Sequence, residues 1–313
     1  MEKKVKTAFL GTPHFALIIL DHLLKWEKGE VVCVVTQPDR PKGRGKKLHH
    51  PPVKTEALKH GLKVIQPEDV NDDSIVEFFE RLKPDVLVVA AFGQILSSKL
   101  LNIPKYGAIN VHASLLPKYR GASPIQWAVL KGEKITGVTI MKMDEGLDTG
   151  PILAQKVVPI GFEDDASKLH DKLAVIGGEL LISTLERLIN GLIIPVPQDS
   201  KVASYAPLLK KEDGLINWDR SATEVHNHIR AMSPWPGAFF YWTRPKDGKN
   251  LMLKIFPGTI HFEDNKHFSP GTIIEEKGVL KIACKDFFYI PSKIQPQSSK
   301  PLNPEAFCCG YLR

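Results

Sequence analysis

Apolar residues in the first two-thirds of this chain alternate between short unbroken runs and stretches where they recur every three or four positions. Residues 6–10 read as a strand. Thr12 and Pro13 then look like an N-cap followed by proline at the first helical position, ahead of a stripe of Ala16, Ile19, Leu20, Leu23 and Leu24. Residues 31–36 and 86–91 are nearly continuous apolar runs, as expected of strands covered on both faces. Between them lie helical patterns at 53–60, stopped by Gly61, and at 75–82, with Asn71 or Asp72 as cap. Ser123-Pro124-Ile125-Gln126 has capping-box spacing and opens another helix, and a long helix is expected over 166–189. Strand–helix alternation of this kind predicts an α/β domain with a doubly wound, mostly parallel sheet over residues 1–190.

The pattern changes near Ile193. Pro195, Pro197, Gln198, Asp199, Ser200 and Lys201 read as a connector, so a linker is placed at 191–208 and a second domain at 209–313. There Ser221-x-x-Glu224 caps a helix carrying Val225, Ile229 and Met232. Short runs follow at 238–243, 251–256, 271–275, 279–284 and 287–294, and five short strands predict a small barrel. No internal repeat or low-complexity tract interrupts the chain.

Length and composition narrow the class. The 313 residues allow two domains, and 43% hydrophobic content is ordinary for a globular protein. The net charge of +7 is uneven: residues 1–60 carry 12 Lys and Arg against 6 Asp and Glu, and residues 209–313 carry 15 against 11. The two ends therefore attract polyanions, and the middle does not. Cys33, Cys284, Cys308 and Cys309 lack metal-ligand spacing and read as reduced thiols of a cytoplasmic protein, with no metal expected. Lys3, Lys4 and Lys6 before an apolar run imitate a secretion signal, but Pro13, His14 and Asp21 interrupt it and no cleavage pattern follows. No run is long enough to span a membrane.

Candidate chemistry concentrates between Gly107 and Gly150. Asn110 and His112 sit two apart, so on a strand both side chains leave one face. Asp148 follows a second strand-like run, 138–143, in a glycine-rich loop able to fold back. Taken alone, Asn110 and His112 read as hydrogen-bonded strand-end residues and Asp148 as a turn carboxylate. Together, amide, imidazole and carboxylate supply what acyl transfer needs: a donor for an oxyanion, a proton shuttle, and a charge favouring the imidazolium. Gly11-Thr12-Pro13 fits neither the dinucleotide nor the P-loop fingerprint, and Gly11 is read as a tight turn. Residues 36–48, TQPDRPKGRGKKL, hold Arg40, Lys42, Arg44, Lys46 and Lys47 with one acid. They form either a solvated loop or an arm that grips phosphates. Trp235, Phe239, Phe240, Tyr241 and Trp242 either stack on bases or fill the barrel core.

The succession TQPDRPKGRGKKL, INVHASLLPKYRGASPIQ and GVTIMKMDEGLDTGPIL, with MSPWPGAF in the second domain, resembles the methionyl-tRNA formyltransferases, a branch of the 10-formyltetrahydrofolate-dependent formyltransferases. The resemblance covers nearly the whole chain. It implies a Rossmann-like catalytic domain followed by an OB-like, tRNA-binding barrel. It also implies formyl transfer from 10-formyltetrahydrofolate to the α-amino group of initiator Met-tRNA by a monomer, with no metal. Asn110, His112 and Asp148 then match the catalytic trio. Ser114, Leu115, Leu116 and Pro117 match a segment lining the folate site, and Gln94, Ile95 and Leu96 a loop that helps hold the pterin. Arg44 matches an arginine that contacts the tRNA acceptor end, within an arm that includes Arg40, Lys42, Lys46 and Lys47. The adjacent cysteines at the C-terminal end depart from the family's usual pattern. Three competing readings keep much of this pattern: a formyltransferase for a sugar-nucleotide amine, a formyl-tetrahydrofolate hydrolase, and an RNA-binding protein without catalysis.

Overall fold

The computed structural model describes residues 3–42 and 47–312. The chain divides into two compact units: Met1–Pro124, Ile135–Pro159 and His170–Ala206 form the first, and Ile125–Lys134, Ile160–Leu169 and Pro207–Arg313 form the second. The elements run β1 (Val5–Gly11), α1 (His14–Lys25), β2 (Gly29–Val35), β3 (Arg40–Lys42), β4 (Lys47–His49), α2 (Pro52–Lys59), β5 (Val64–Ile65), α3 (Asp73–Leu82), β6 (Val86–Ala90), α4 (Ser98–Asn102), β7 (Ala108–His112), α5 (Pro124–Leu130), β8 (Ile135–Lys142), β9 (Ile152–Pro159) and α6 (Ala166–Ile189).

In the first unit seven strands make one sheet in the order β5-β2-β1-β6-β7-β8-β9. The five strands from β5 to β7 run parallel, while β8 and β9 are antiparallel. The expected mostly parallel sheet is thus present, with an antiparallel edge that the apolar runs did not announce. Every residue of β6 and β7 is buried, which explains their unbroken apolar character. Ala8, Leu10, Val35, Phe79, Leu87, Val89, Leu96 and Leu100 belong to one core cluster on this sheet. Helix α6 keeps the span read from its periodicity, and two glycines let it lie close. A Cβ at Gly177 would sit 3.0 Å from Val111 of β7, and one at Gly178 would sit 2.3 Å from the His22 ring of α1.

Two local expectations are corrected. Pro13, not Thr12, holds the N-cap position of α1. The Thr12 hydroxyl instead donates to Phe92 O (3.2 Å) and accepts from Gln37 N (3.3 Å), tying together the loops that follow β1, β2 and β6. Gly11 is the last residue of β1 rather than a tight turn. A Cβ there would lie 2.6 Å from Ala16 Cβ and 2.9 Å from Ala90 O, so close packing demands the glycine.

The second unit contains α7 (Ala222–Ala231), β10 (Ala238–Thr243), β11 (Asn250–Ile255), β12 (Gly258–His261), β13 (Ile273–Glu276), β14 (Val279–Ala283), β15 (Phe288–Pro291), β16 (Ile294–Pro296) and α8 (Pro304–Phe307). Ser221 and Glu224 form the anticipated capping box on α7. Seven short strands replace the expected five, in two antiparallel sheets ordered β10-β11-β16 and β12-β15-β14-β13. Strand β12 was not anticipated. The run at 287–294 breaks after Pro291, sending β15 and β16 into different sheets. Strand alternation divides the aromatic run of β10: Phe240 and Trp242 are buried and Tyr241 is exposed, while Trp235, ahead of the strand, is also exposed.

Candidate active site

Strand β7 delivers two polar side chains to one face because Asn110 and His112 are separated by a single residue. They are only 8% and 6% exposed, so neither is an ordinary solvated strand end. The chain leaves β8 at Lys142 and returns at Ile152, and the intervening loop brings Asp148 over them. Asn110 Nδ2 donates to Asp148 Oδ1 at 3.4 Å, and His112 Nδ1 stands 3.6 Å from Asp148 Oδ2. The three residues singled out from the sequence therefore meet in space.

The surroundings set their roles. His112 Nε2 lies 2.9 Å from Tyr119 O, a pure acceptor, which assigns the proton of the neutral ring to Nε2. Nδ1 then faces the carboxylate. Asp148 Oδ2 accepts from Gly121 N at 2.8 Å. The Asp148 backbone adopts φ +53°, a left-handed conformation that carries strain of order 1 kcal/mol or more for a residue with a side chain. The loop around it is tightly built: Asp144 Oδ1 accepts from Gly146 N (3.0 Å) and Thr149 Oγ1 (2.6 Å), and a Cβ at Gly150 would fall 1.8 Å from Lys142 O.

The segment after β7 is held from within. Ser114 is fully buried and its hydroxyl donates to Lys118 O at 2.6 Å. Leu115 packs against Gly137, where a Cβ would come within 2.5 Å of its side chain. Buried Leu116 donates its N–H to Thr139 Oγ1 (3.1 Å), and its carbonyl accepts from Gln155 Nε2 (2.8 Å). Pro117 O accepts from Ser204 N at 3.3 Å. In the loop after β6, Gln94 Oε1 accepts from Val70 N (2.7 Å) and its Nε2 donates to Glu68 O (3.0 Å). Asn71 clasps the same loop, donating to Ile95 O (2.9 Å) and accepting from Ser97 N (2.7 Å). Leu96 is core, whereas Ile95 is 65% exposed beside Gly93, whose surroundings are open. Ile95 is thus the apolar side chain of this loop free to meet a ligand.

The basic arm begins on a clamped base. Arg40 opens the β3–β4 hairpin, which pairs Lys42 with Lys47; Arg44 and Lys46 lie outside the described residues. Asp39 at its root takes Lys54 Nζ and His50 Nδ1, each 2.7 Å from Oδ2, and Gln66 Nε2 at 2.8 Å from Oδ1. The Lys54 hydrogen bond, followed by that from Gln66, holds the Asp39 carboxyl down at about 2. Lys54, Gln66, Thr139 and Gly121 escape sequence reading because each works through backbone or a distant partner. Among the described residues no cluster of His, Cys, Asp and Glu could hold a metal ion, and no helix is long and apolar enough to cross a membrane.

Comparison with known proteins gives the family and the fold. The profile described as Formyl transferase matches residues 4–185, and that described as Formyl transferase, C-terminal domain matches residues 208–312. The methionyl-tRNA formyltransferase of Nitratidesulfovibrio vulgaris strain DP4 is 47% identical over 310 residues, covering 98% of this chain and 93% of that protein. The methionyl-tRNA formyltransferase of Acetivibrio thermocellus strain ATCC 27405 is 44% identical over 308 residues, covering 98% and 97%. In fold, the chain matches the N-formyltransferase of Helicobacter canadensis solved with folinic acid and dTDP-3-aminofucose. The TM-score is 0.68 at 23% identity, over 95% of this chain and 100% of the other.

Proposed function

This chain belongs to the methionyl-tRNA formyltransferase family, and we infer that it moves a formyl group from 10-formyltetrahydrofolate to the α-amino group of methionine on initiator tRNA. The observation that carries the mechanism is the convergence of Asn110, His112 and Asp148 in a nearly dry recess. The donor set suits a formyl carbonyl: one amide N–H, one imidazole, one carboxylate. Open backbone at Gly93 beside exposed Ile95 suits the face of a flat heterocycle. Gln94 and Leu96 shape that loop, and Ser114, Leu115, Leu116 and Pro117 shape the facing segment, from behind.

When bound, the folate supplies an activated formyl group on nitrogen. Asn110 donates to the formyl oxygen as that oxygen gains charge, and His112 adds a second N–H once it has taken the amine's proton. Losing one such donor typically lowers turnover on the order of a hundred- to a thousandfold. The attacking amine must be neutral, and a free α-amino group, with a pKa of roughly 7.7–8, is partly so near pH 7. As the new C–N bond forms and the old one breaks, His112 passes the amine's proton to the departing folate nitrogen. Asp148 stabilises the imidazolium that exists between those two transfers. No step uses a metal.

The arm of Arg40, Lys42, Arg44, Lys46 and Lys47 grips the tRNA through its phosphates, and the second domain extends that contact. Residues 1–190 supply the catalytic domain and 209–313 the tRNA-binding domain of a cytoplasmic monomer, while 191–206 of the stretch read as a linker belong to the first compact unit. An acceptor panel tests this reading. Purified protein with labelled formyl donor should label methionine-charged initiator tRNA. Label on an amino-sugar nucleotide instead, or formate release alone, would overturn the assignment.

A further inference from the structure

Gln198 lies between the two spans matched by the family profiles, in a stretch whose composition reads as mere connector. Its side chain is fully engaged. Nε2 donates one hydrogen to Asp148 O (2.9 Å) and the other to Gly150 O (2.7 Å). Oε1 accepts from Arg120 Nε (3.2 Å) and Nη2 (2.9 Å). A guanidinium carries only donors, so the amide can show Arg120 nothing but its oxygen, and its NH2 must turn to the 148–150 backbone. Arg120 is itself immobilised: it is 3% exposed, its N–H donates to Ser204 O (2.8 Å), and its carbonyl accepts from Ala206 N (2.7 Å). The Asp148 carboxylate is fixed from one side by Gly121 N, and its backbone from the other by Gln198.

We propose that Gln198 is a positioning residue for formyl transfer: its carboxamide, aimed by Arg120, holds the 148–150 backbone in the left-handed turn that presents Asp148 to His112. The inference rests on the role given to Asp148 above. Gln198 touches no reacting atom. It acts by keeping the carboxylate where the imidazolium forms, so its loss should lower the rate of the chemical step and leave substrate binding intact.

Two substitutions separate aim from bulk. Gln198→Glu keeps an oxygen for Arg120 but turns an acceptor towards two carbonyls, and Gln198→Leu removes both functions. In each, kcat on methionine-charged initiator tRNA should fall on the order of ten- to a hundredfold, with KM for tRNA and formyl donor changed less than about twofold. The Glu variant, which retains its Arg120 contact, should melt near the wild-type temperature and so carries the kinetic arm if the Leu variant does not fold. Asp199→Ala, one residue on, removes only the cap of a short turn at Ser200–Val202 and should leave kcat within about twofold. A crystal structure of the Glu variant should show Asp148 turned out of its left-handed conformation or its carboxylate released from Gly121 N. A folded Gln198→Glu protein with wild-type kcat would overturn the proposal. So would an unmoved Asp148 in that crystal structure, a readout that stands even if the wild type formylates a different acceptor.

Discussion

The N–H of Gly121 donates to Asp148 Oδ2 across 2.8 Å, the same oxygen that faces His112 Nδ1. Gly121 adopts φ +111°, and a Cβ there would stand 2.9 Å from Ala206 O. Gly121→Ala must therefore shift the turn that carries the donor. Stability should fall by more than about 1 kcal/mol in a urea melt, and kcat should fall with it. An alanine variant with an unchanged melt would mean that this turn has slack.

The arm depends on its root as well as its charges. Asp39→Asn removes the carboxylate that gathers Lys54, His50 and Gln66, and should raise KM for tRNA several-fold with kcat preserved. Because the folded-state value is depressed to about 2, this carboxylate contributes above its ordinary value of 3.8 and its effect is lost as pH falls through 2. The Asp39 carboxylate therefore stays ionised over any neutral assay range. Arg44→Ala and Arg40→Ala should each weaken tRNA use and reduce the slope of log affinity against log salt by roughly 1. Filter binding across a salt series checks this, and an unchanged slope would return the arm to a solvated loop.

Acid should loosen the second unit. His226 Nε2 lies 2.9 Å from Phe162 O, while Nδ1 is buried without a hydrogen-bond partner. Desolvation lowers the values of both His226 and His228 below the ordinary 6.5. A histidine with a depressed folded-state value takes up its proton first in the unfolded chain. Its stabilising contribution is complete above 6.5 and is lost as pH falls below that value towards the folded-state one. The urea midpoint should drop between pH 7.5 and pH 5, and His226→Gln should reduce the drop. Equal midpoints at the two pH values in the wild type would contradict it.

What could be read in advance divides along physical lines. Helix α6 announces itself through its length and apolar stripe, and β7 through burial on both faces broken by Asn110 and His112. Asp148 was findable because its loop is dense in glycine. Strand β12 is four residues long and follows Pro257, too short to carry a period. Gln198 was unreadable because its meaning lies in carbonyls 48 and 50 residues away along the chain. Gly11 resembles a tight turn in sequence because a crowded strand end and a tight turn demand the same residue type. Thr12 imitates a helix cap in sequence because its partners, Phe92 and Gln37, come from other strand ends.

Rapid-quench single-turnover transfer from labelled formyl donor to methionine-charged initiator tRNA tests the convergent trio most directly. Asn110→Ala, His112→Ala and Asp148→Asn should each slow the step on the order of a hundredfold or more, while tRNA binding measured in parallel stays near wild type. Transfer at the wild-type rate by either the His112 or the Asp148 variant would contradict the account.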